Sequence, residues 1–193
     1  IPIGGTVIDV GANLGSHTVA YANRVGPSGM VIAIEPNPSI LECLYYNTKA
    51  YPQVKVWPVA AGSQSQQIGC YPNRYNPGAS IVSEWSTIAP LSIPCITLDS
   101  IELNQLDFLK VDVEGYDLQV LLGAKNTLHC FHPIIMVETG QQLELFGDSH
   151  DKLLAFLDSL GYMWEFLPPE RPWEDPSTQM QVGDLLCRPR EIA

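Results

Sequence analysis

A β-branched run, Val7-Ile8-Asp9-Val10, leads straight into the glycine-bracketed turn Gly11-Ala12-Asn13-Leu14-Gly15. The turn opens into Ser16-His17-Thr18-Val19-Ala20-Tyr21-Ala22, which reads as a helix with Ser16 as its cap candidate. Strand, tight loop and helix N-terminus together turn backbone N–H groups and the positive end of a helix toward a ligand. Gly11 is expected to permit the turn, and Gly15 to let the helix pack closely or a ligand approach the backbone. Asn13 stands where a dinucleotide fold usually carries its middle glycine, and Asn is among the few non-glycine residues that tolerate φ > 0. His17, on the first helical turn, is placed where its N–H or side chain could touch a ligand carboxylate.

The second strand, Met30–Ile34, ends in Glu35-Pro36-Asn37-Pro38. An acid at the tip of the second strand, roughly 20 residues beyond the loop, is where such folds hydrogen-bond ribose hydroxyls. The plainer alternative is a solvated loop carboxylate. A helix over Ser39–Ala50 and a strand at Val54–Trp57 complete three βα-type units, which argue for a parallel sheet with right-handed crossovers. From 63 to 94 the rhythm is lost among Gln, Asn, Pro and Gly residues. That stretch is expected to be an irregular loop or small hairpin insertion, functional or merely solvated.

Asp107-Phe108-Leu109-Lys110-Val111-Asp112-Val113-Glu114-Gly115 forms a second chemical centre, followed by a predicted helix over Tyr116–Leu128. Lys110 reads as a snorkelling or acid-paired residue rather than a Schiff-base lysine. The buried run Pro133–Val137 ends in Glu138-Thr139-Gly140. Asp9, Glu35, Asp112, Glu114 and Glu138 thus all fall at the carboxyl ends of predicted strands, where open parallel sheets bind ligands. A helix capped by Asp148 or Ser149 runs to Ser159. A strand at Tyr162–Leu167, a Pro-rich loop over 168–176 and a last strand at Gln181–Cys187 then imply an antiparallel edge pair.

At 193 residues the chain is expected to be one domain, 1–193; 46% apolar and 16% charged residues make it globular. A net charge of −11 with 10 Lys and Arg and no basic cluster argues against nucleic acid or an anionic membrane as partner. Five scattered cysteines without a CxxC fit reduced thiols in the cytoplasm better than disulfides or zinc. No run approaches the ~18 apolar residues of a membrane span. His129, His132 and His150 share no metal-ligand spacing, and no metal is expected from them. Trp85 and Trp173, in the irregular stretches, are candidates for an acceptor pocket.

The segments VIDVGANLG, VIAIEPNP, TLDS, FLKVDVEGYDLQVLLGA and a strand ending in VE, in this order, resemble the FkbM family of S-adenosylmethionine-dependent methyltransferases, from about Val7 to about Gly161. The resemblance implies an α/β, Rossmann-like class I methyltransferase fold: a seven-stranded, mostly parallel sheet with helices on both faces. Its last strand lies antiparallel beside strand five. It implies O-methylation of a hydroxyl on a small molecule or carbohydrate with S-adenosyl-L-methionine as cofactor. By position, Asp9 and the Gly11–Gly15 loop would hold the methionine portion, Glu35 the ribose, and Asn37 and Ala60 would lie near the adenosine. Asp112 and Glu114 would face the reaction site.

Methyl transfer is an in-line displacement at an already activated carbon, so an enzyme contributes chiefly alignment and exclusion of water. An aliphatic hydroxyl also needs its proton taken, for which Asp112 is the first candidate, with Glu114 and Glu138 behind it. Two such close carboxylates could instead hold a divalent cation that chelates the acceptor. Two other functions compete. A nicotinamide-dependent oxidoreductase or epimerase would want a cleaner G-x-G-x-x-G and a Tyr/Lys or His catalytic pair. A non-catalytic interaction domain would have no need of intact acids at Asp9, Glu35, Asp112 and Glu114.

Overall fold

A computed structural model of the 193-residue chain describes residues 1–72, 80–83, 91–167 and 183–190. Its first half winds β1 (Thr6–Val10), α1 (Ser16–Val25), β2 (Met30–Ile34), α2 (Pro38–Thr48) and β3 (Val54–Trp57). All five residues of β1 are buried, as expected of a strand covered on both faces. The side chains alternate: Val7 and Val31 pack against Ala22 and Val25 of α1. Ile8, Val10, Ile32 and Ile34 point into the larger core on the other face.

The chain then makes β4 (Ala60–Ala61), β5 (Gln66–Pro72), β6 (Ser80–Ser83) and β7 (Leu91–Ile96). These form a second sheet in the order β4-β7-β5-β6, with β5 antiparallel to both of its neighbours. Ile68, Cys70, Ile93 and Cys95 gather with Ala60 around the ring of Tyr116, which seats this sheet beside the loop that follows the next strand. Trp85, Trp173 and the 168–176 loop lie outside the described residues.

The second half runs β8 (Phe108–Val111), α3 (Asp117–Leu122), α4 (Lys125–Phe131), β9 (Ile134–Thr139), α5 (His150–Ser159), β10 (Tyr162–Phe166) and β11 (Gly183–Pro189). The main sheet has seven strands in the order β3-β2-β1-β8-β9-β11-β10. β11 is antiparallel to both β9 and β10, and the other described pairings of this sheet are parallel. Apolar residues of α3, α4 and α5 (Leu121, Leu128 and Leu153 among them) fill the face opposite α1. The sheet is the mostly parallel one, clad on both sides, that the sequence led us to expect.

Two local expectations are corrected. Ser16 is not a cap: Gly15 takes that position at φ 91°, with no side-chain cap hydrogen bond, and Ser16 is the first helical residue. The helix expected over Tyr116–Leu128 is broken into α3 and α4 at Gly123-Ala124. A Cβ on Gly123 would lie 1.9 Å from the Gly62 carbonyl oxygen, so the break lets the chain pass directly over the end of β4. Among the described residues no helix is long and apolar enough to cross a membrane.

Candidate active site

The carboxyl ends of β1, β2 and β8 open into one cleft, with about 590 Å³ of empty space when the open solvent at its mouth is included. Val10 and Ile34 with Ala60 and Ala61 form its apolar wall. Gly11, Asn13, Glu35 and Pro36 form one rim, and Asp112, Val113 and Glu114 the other. Gly11 is at φ 76°, and a Cβ there would fall 1.9 Å from the Asp112 carbonyl oxygen. The two rims therefore touch at a point that admits only glycine. Asn13 does adopt the left-handed conformation, at φ 51°. Gly15 is needed for a different contact, since its Cβ would sit 2.7 Å from Leu44 of α2.

Glu35 is 5% exposed. Its Oε2 accepts the Asn13 N–H at 2.8 Å and its Oε1 accepts the Asn37 N–H at 2.9 Å. The carboxylate is thus clamped between the two loops, and each oxygen keeps a further lone pair. Burial raises its pKa, against the pull of those two N–H bonds and of Lys110. Asn37 is fully buried and caps α2, its side chain accepting the Ser39 N–H at 3.0 Å.

On the opposite rim Glu114 is held at φ 56°, a conformation that costs a non-glycine residue about 1–3 kcal/mol and is tolerated where surrounding structure enforces it. The enforcing residue is Asp117, which sequence reasoning missed. Its carboxylate accepts the Val113 N–H at 3.1 Å and the Gly115 N–H at 3.0 Å, closing the loop from within. An acid in the first turn of a helix, two residues after a glycine, is the signal that was available. Burial pushes the Asp117 carboxyl up to about 7. Gly115, at φ 100°, lies where a Cβ would meet the Gln142 carbonyl oxygen at 2.3 Å.

Glu138, at the end of β9, lies close enough to Asp112 for the two carboxyl groups to interact. Burial first, then the charges of Asp112, Asp117 and Glu114, push it up to about 8. Glu114 is raised in the same sense by burial and by Asp112. Near neutral pH Glu138 therefore favours its protonated form, while Asp112 Oδ2 lies 3.2 Å from Lys110 Nζ.

Of the residues singled out from sequence, Gly11, Asn13, Glu35, Ala60, Asp112 and Glu114 converge on the cleft wall. Asp9, Gly15, Asn37 and Glu138 stand behind it. Asp9 is fully buried, bound to the Thr18 hydroxyl at 2.6 Å, and paired with Lys110. Lys110 is acid-paired, as expected. His17 is exposed on α1, its ring 6.0 Å from that of Tyr21. Among the described residues no three His, Cys, Asp or Glu side chains are grouped to hold a metal ion.

Comparison with known proteins places this arrangement. The chain is 31% identical over 134 residues to the hexuronic acid methyltransferase AglP of Haloferax volcanii, covering 66% of this chain and 53% of that protein. It therefore spans about half the length of this curated relative. The structure resembles methyltransferase FkbM from Methylobacillus flagellatus KT, with a TM-score of 0.61 at 18% identity, over 95% of this chain and 43% of the other. It also resembles Aeropyrum pernix fibrillarin in complex with natively bound S-adenosyl-L-methionine (TM-score 0.58, 10% identity, 97% of this chain and 67% of that one). At these identities the structural likeness is one of fold. Residues 9–163 match the family described as the methyltransferase FkbM domain, and the chain belongs to the FkbM methyltransferase family.

Proposed function

We propose that the chain is an S-adenosylmethionine-dependent O-methyltransferase that acts on a hydroxyl of a carbohydrate or small molecule, with residues 1–193 forming one methyltransferase domain. The observation that carries this reading is Glu35: a buried carboxylate, oriented by two backbone N–H groups, on the wall of a cleft whose far rim bears Asp112 and Glu114. That donor set fits the cofactor. The free lone pairs of Glu35 can accept two ribose hydroxyls. The N-terminus of α1, which has no side-chain cap, supplies backbone N–H groups for the methionine carboxylate. Ala60, Ala61 and Pro36 offer a flat apolar slot for the adenine.

When bound, the cofactor supplies an activated methyl group. The chain's own task is then to align an acceptor oxygen with that methyl and to remove the hydroxyl proton. Asp112 is the base in this reading, because it lines the cleft with its Oδ2 3.2 Å from Lys110 Nζ, whereas burial and neighbouring acids push Glu138 toward its protonated form. The kinship with a hexuronic acid methyltransferase supports a glycan-type acceptor. The free cysteines support a reducing, cytoplasmic setting.

Calorimetric titration of wild type and Glu35→Ala with S-adenosylmethionine, S-adenosylhomocysteine and NAD(H) tests the proposal. Wild type should bind the first two and the variant should lose both. Binding of NAD(H) alone would move the chain to the oxidoreductase reading, and binding of none would leave an interaction domain.

A further inference from the structure

Lys110 lies within β8, 3% exposed, with its ammonium group between the two rims of the cleft. The parallel register of β1 and β8 sets it directly beside Asp9. Nζ donates to the Gly11 carbonyl oxygen at 3.0 Å and lies 3.2 Å from Asp112 Oδ2 and 3.5 Å from Asp9 Oδ1. Asp9 Oδ1 is buried and makes no hydrogen bond, so the nearby cation is what compensates it. Asp9 Oδ2 is taken by Thr18 of α1. One continuous set of contacts therefore runs from the first turn of α1, through Asp9 and Lys110, to Asp112, with a branch to the backbone of the glycine loop.

A core position in a strand flanked by Leu109 and Val111 could be filled by an aliphatic side chain without the cost of burying charge. Stability alone therefore does not account for a lysine here. We propose that Lys110 is a positioning residue: its ammonium holds the Asp112 carboxylate in place on the cleft rim and keeps it in register with the cofactor loop through the Gly11 carbonyl. This rests on the reading of Asp112 as the base.

Among the described residues, the groups that face the Lys110–Asp112 pair include Asp9 on β1, Glu35 at the end of β2, Tyr21 on α1, Glu138 on β9, Asp117 at the start of α3 and Glu114 on the same loop. All of these are acids or a phenol, and Lys110 is the cation set among them. Burial disfavours its charge, but Asp9 and Asp112 more than offset burial and raise its pKa. Without it, Asp112 would face only groups that are neutral or negatively charged.

The test is side-chain carboxyl 13C NMR of Asp112 in wild type, Lys110→Met and Lys110→Arg without ligand, beside the pH dependence of kcat. In Lys110→Met the Asp112 titration and the acid limb of kcat should both move up by about 1–3 pH units, the span an adjacent opposite charge commands. Lys110→Arg should move both back toward wild type, and S-adenosylhomocysteine affinity should change less than kcat. A folded Lys110→Met protein with an unmoved Asp112 titration overturns the proposal. If Lys110→Met does not fold, 15N NMR of the Lys110 ammonium in Asp112→Asn decides instead: a lowered titration supports the coupling and an unchanged one overturns it. Both titrations are read without cofactor or acceptor. Failure of wild type to bind S-adenosylhomocysteine would thus sink the functional reading separately from the Lys110–Asp112 coupling.

Discussion

Asp112 and Glu138 are neighbouring carboxyl groups whose surroundings differ. Lys110 faces Asp112, whereas Glu138 meets a buried, acid-rich surround. Asp112→Asn keeps the shape but cannot take a proton, so kcat should fall by about 10²–10⁴-fold while calorimetric S-adenosylhomocysteine affinity stays near wild type. Glu138 has a stability signature as well. Its pKa rises from 4.5 unfolded to about 8 folded, so between these values the folded chain holds a proton that the unfolded chain has released. Its contribution is therefore most favourable below pH 4.5 and is lost as pH climbs through 8. Glu138→Gln should match wild type in urea denaturation near pH 4.5 and exceed it in stability above pH 8. Gly11→Ala would drive a methyl group into the Asp112 carbonyl. Overpacking of this kind costs about 1–3 kcal/mol, and calorimetry should show cofactor affinity falling about tenfold or more as the rims are forced apart.

Elements explain why some of the site was legible in the sequence and some was not. The places of Glu35 and Asn13 on the cleft could be read because a strand tip and a tight turn each restrict chemistry locally: an acid at the end of a strand, an Asn able to enter positive φ. Asp117 could not be singled out in the same way. Its role depends on two N–H groups that point inward only once the loop has closed. Asp117→Ala should leave both unsatisfied at about 1–3 kcal/mol in denaturant unfolding, and should loosen the rim that carries Glu114. The break between α3 and α4 was hidden for a related reason. Apolar periodicity continues across Gly123, and the close passage of Gly62, which leaves no room for a side chain there, comes from a distant segment. Gly123→Ala, which would favour helix by propensity alone, should instead lower the thermal midpoint by several degrees. The pairing of the last two strands was legible because the sequence reads as two extended runs joined by a Pro-rich stretch, and such runs have few ways to join a sheet.

The whole molecule is acidic, with a net charge of −11, and the described lip of the cleft carries Asp112 and Glu114 with Glu138 behind them. An anionic acceptor approaching that lip meets a repulsive field that salt screens over a Debye length of about 8–10 Å. For a uronic acid acceptor KM should therefore fall as ionic strength rises, while a neutral sugar should show little dependence; steady-state assays across a salt series would show the difference. The strand order of the main sheet carries a consequence of another kind. β11, Gly183–Pro189, is inserted between β9 and β10, both of which precede it in the chain, and its Leu185 and Cys187 are fully buried. A ribosome delivers β9 and β10 first, so neither can meet its partner until Pro189 has cleared the exit tunnel. Until then the nascent chain carries two unpaired sheet edges, ready templates for pairing with other chains. Completion of the sheet thus waits for β11, and a chain stalled before β11 would be a natural client for chaperones.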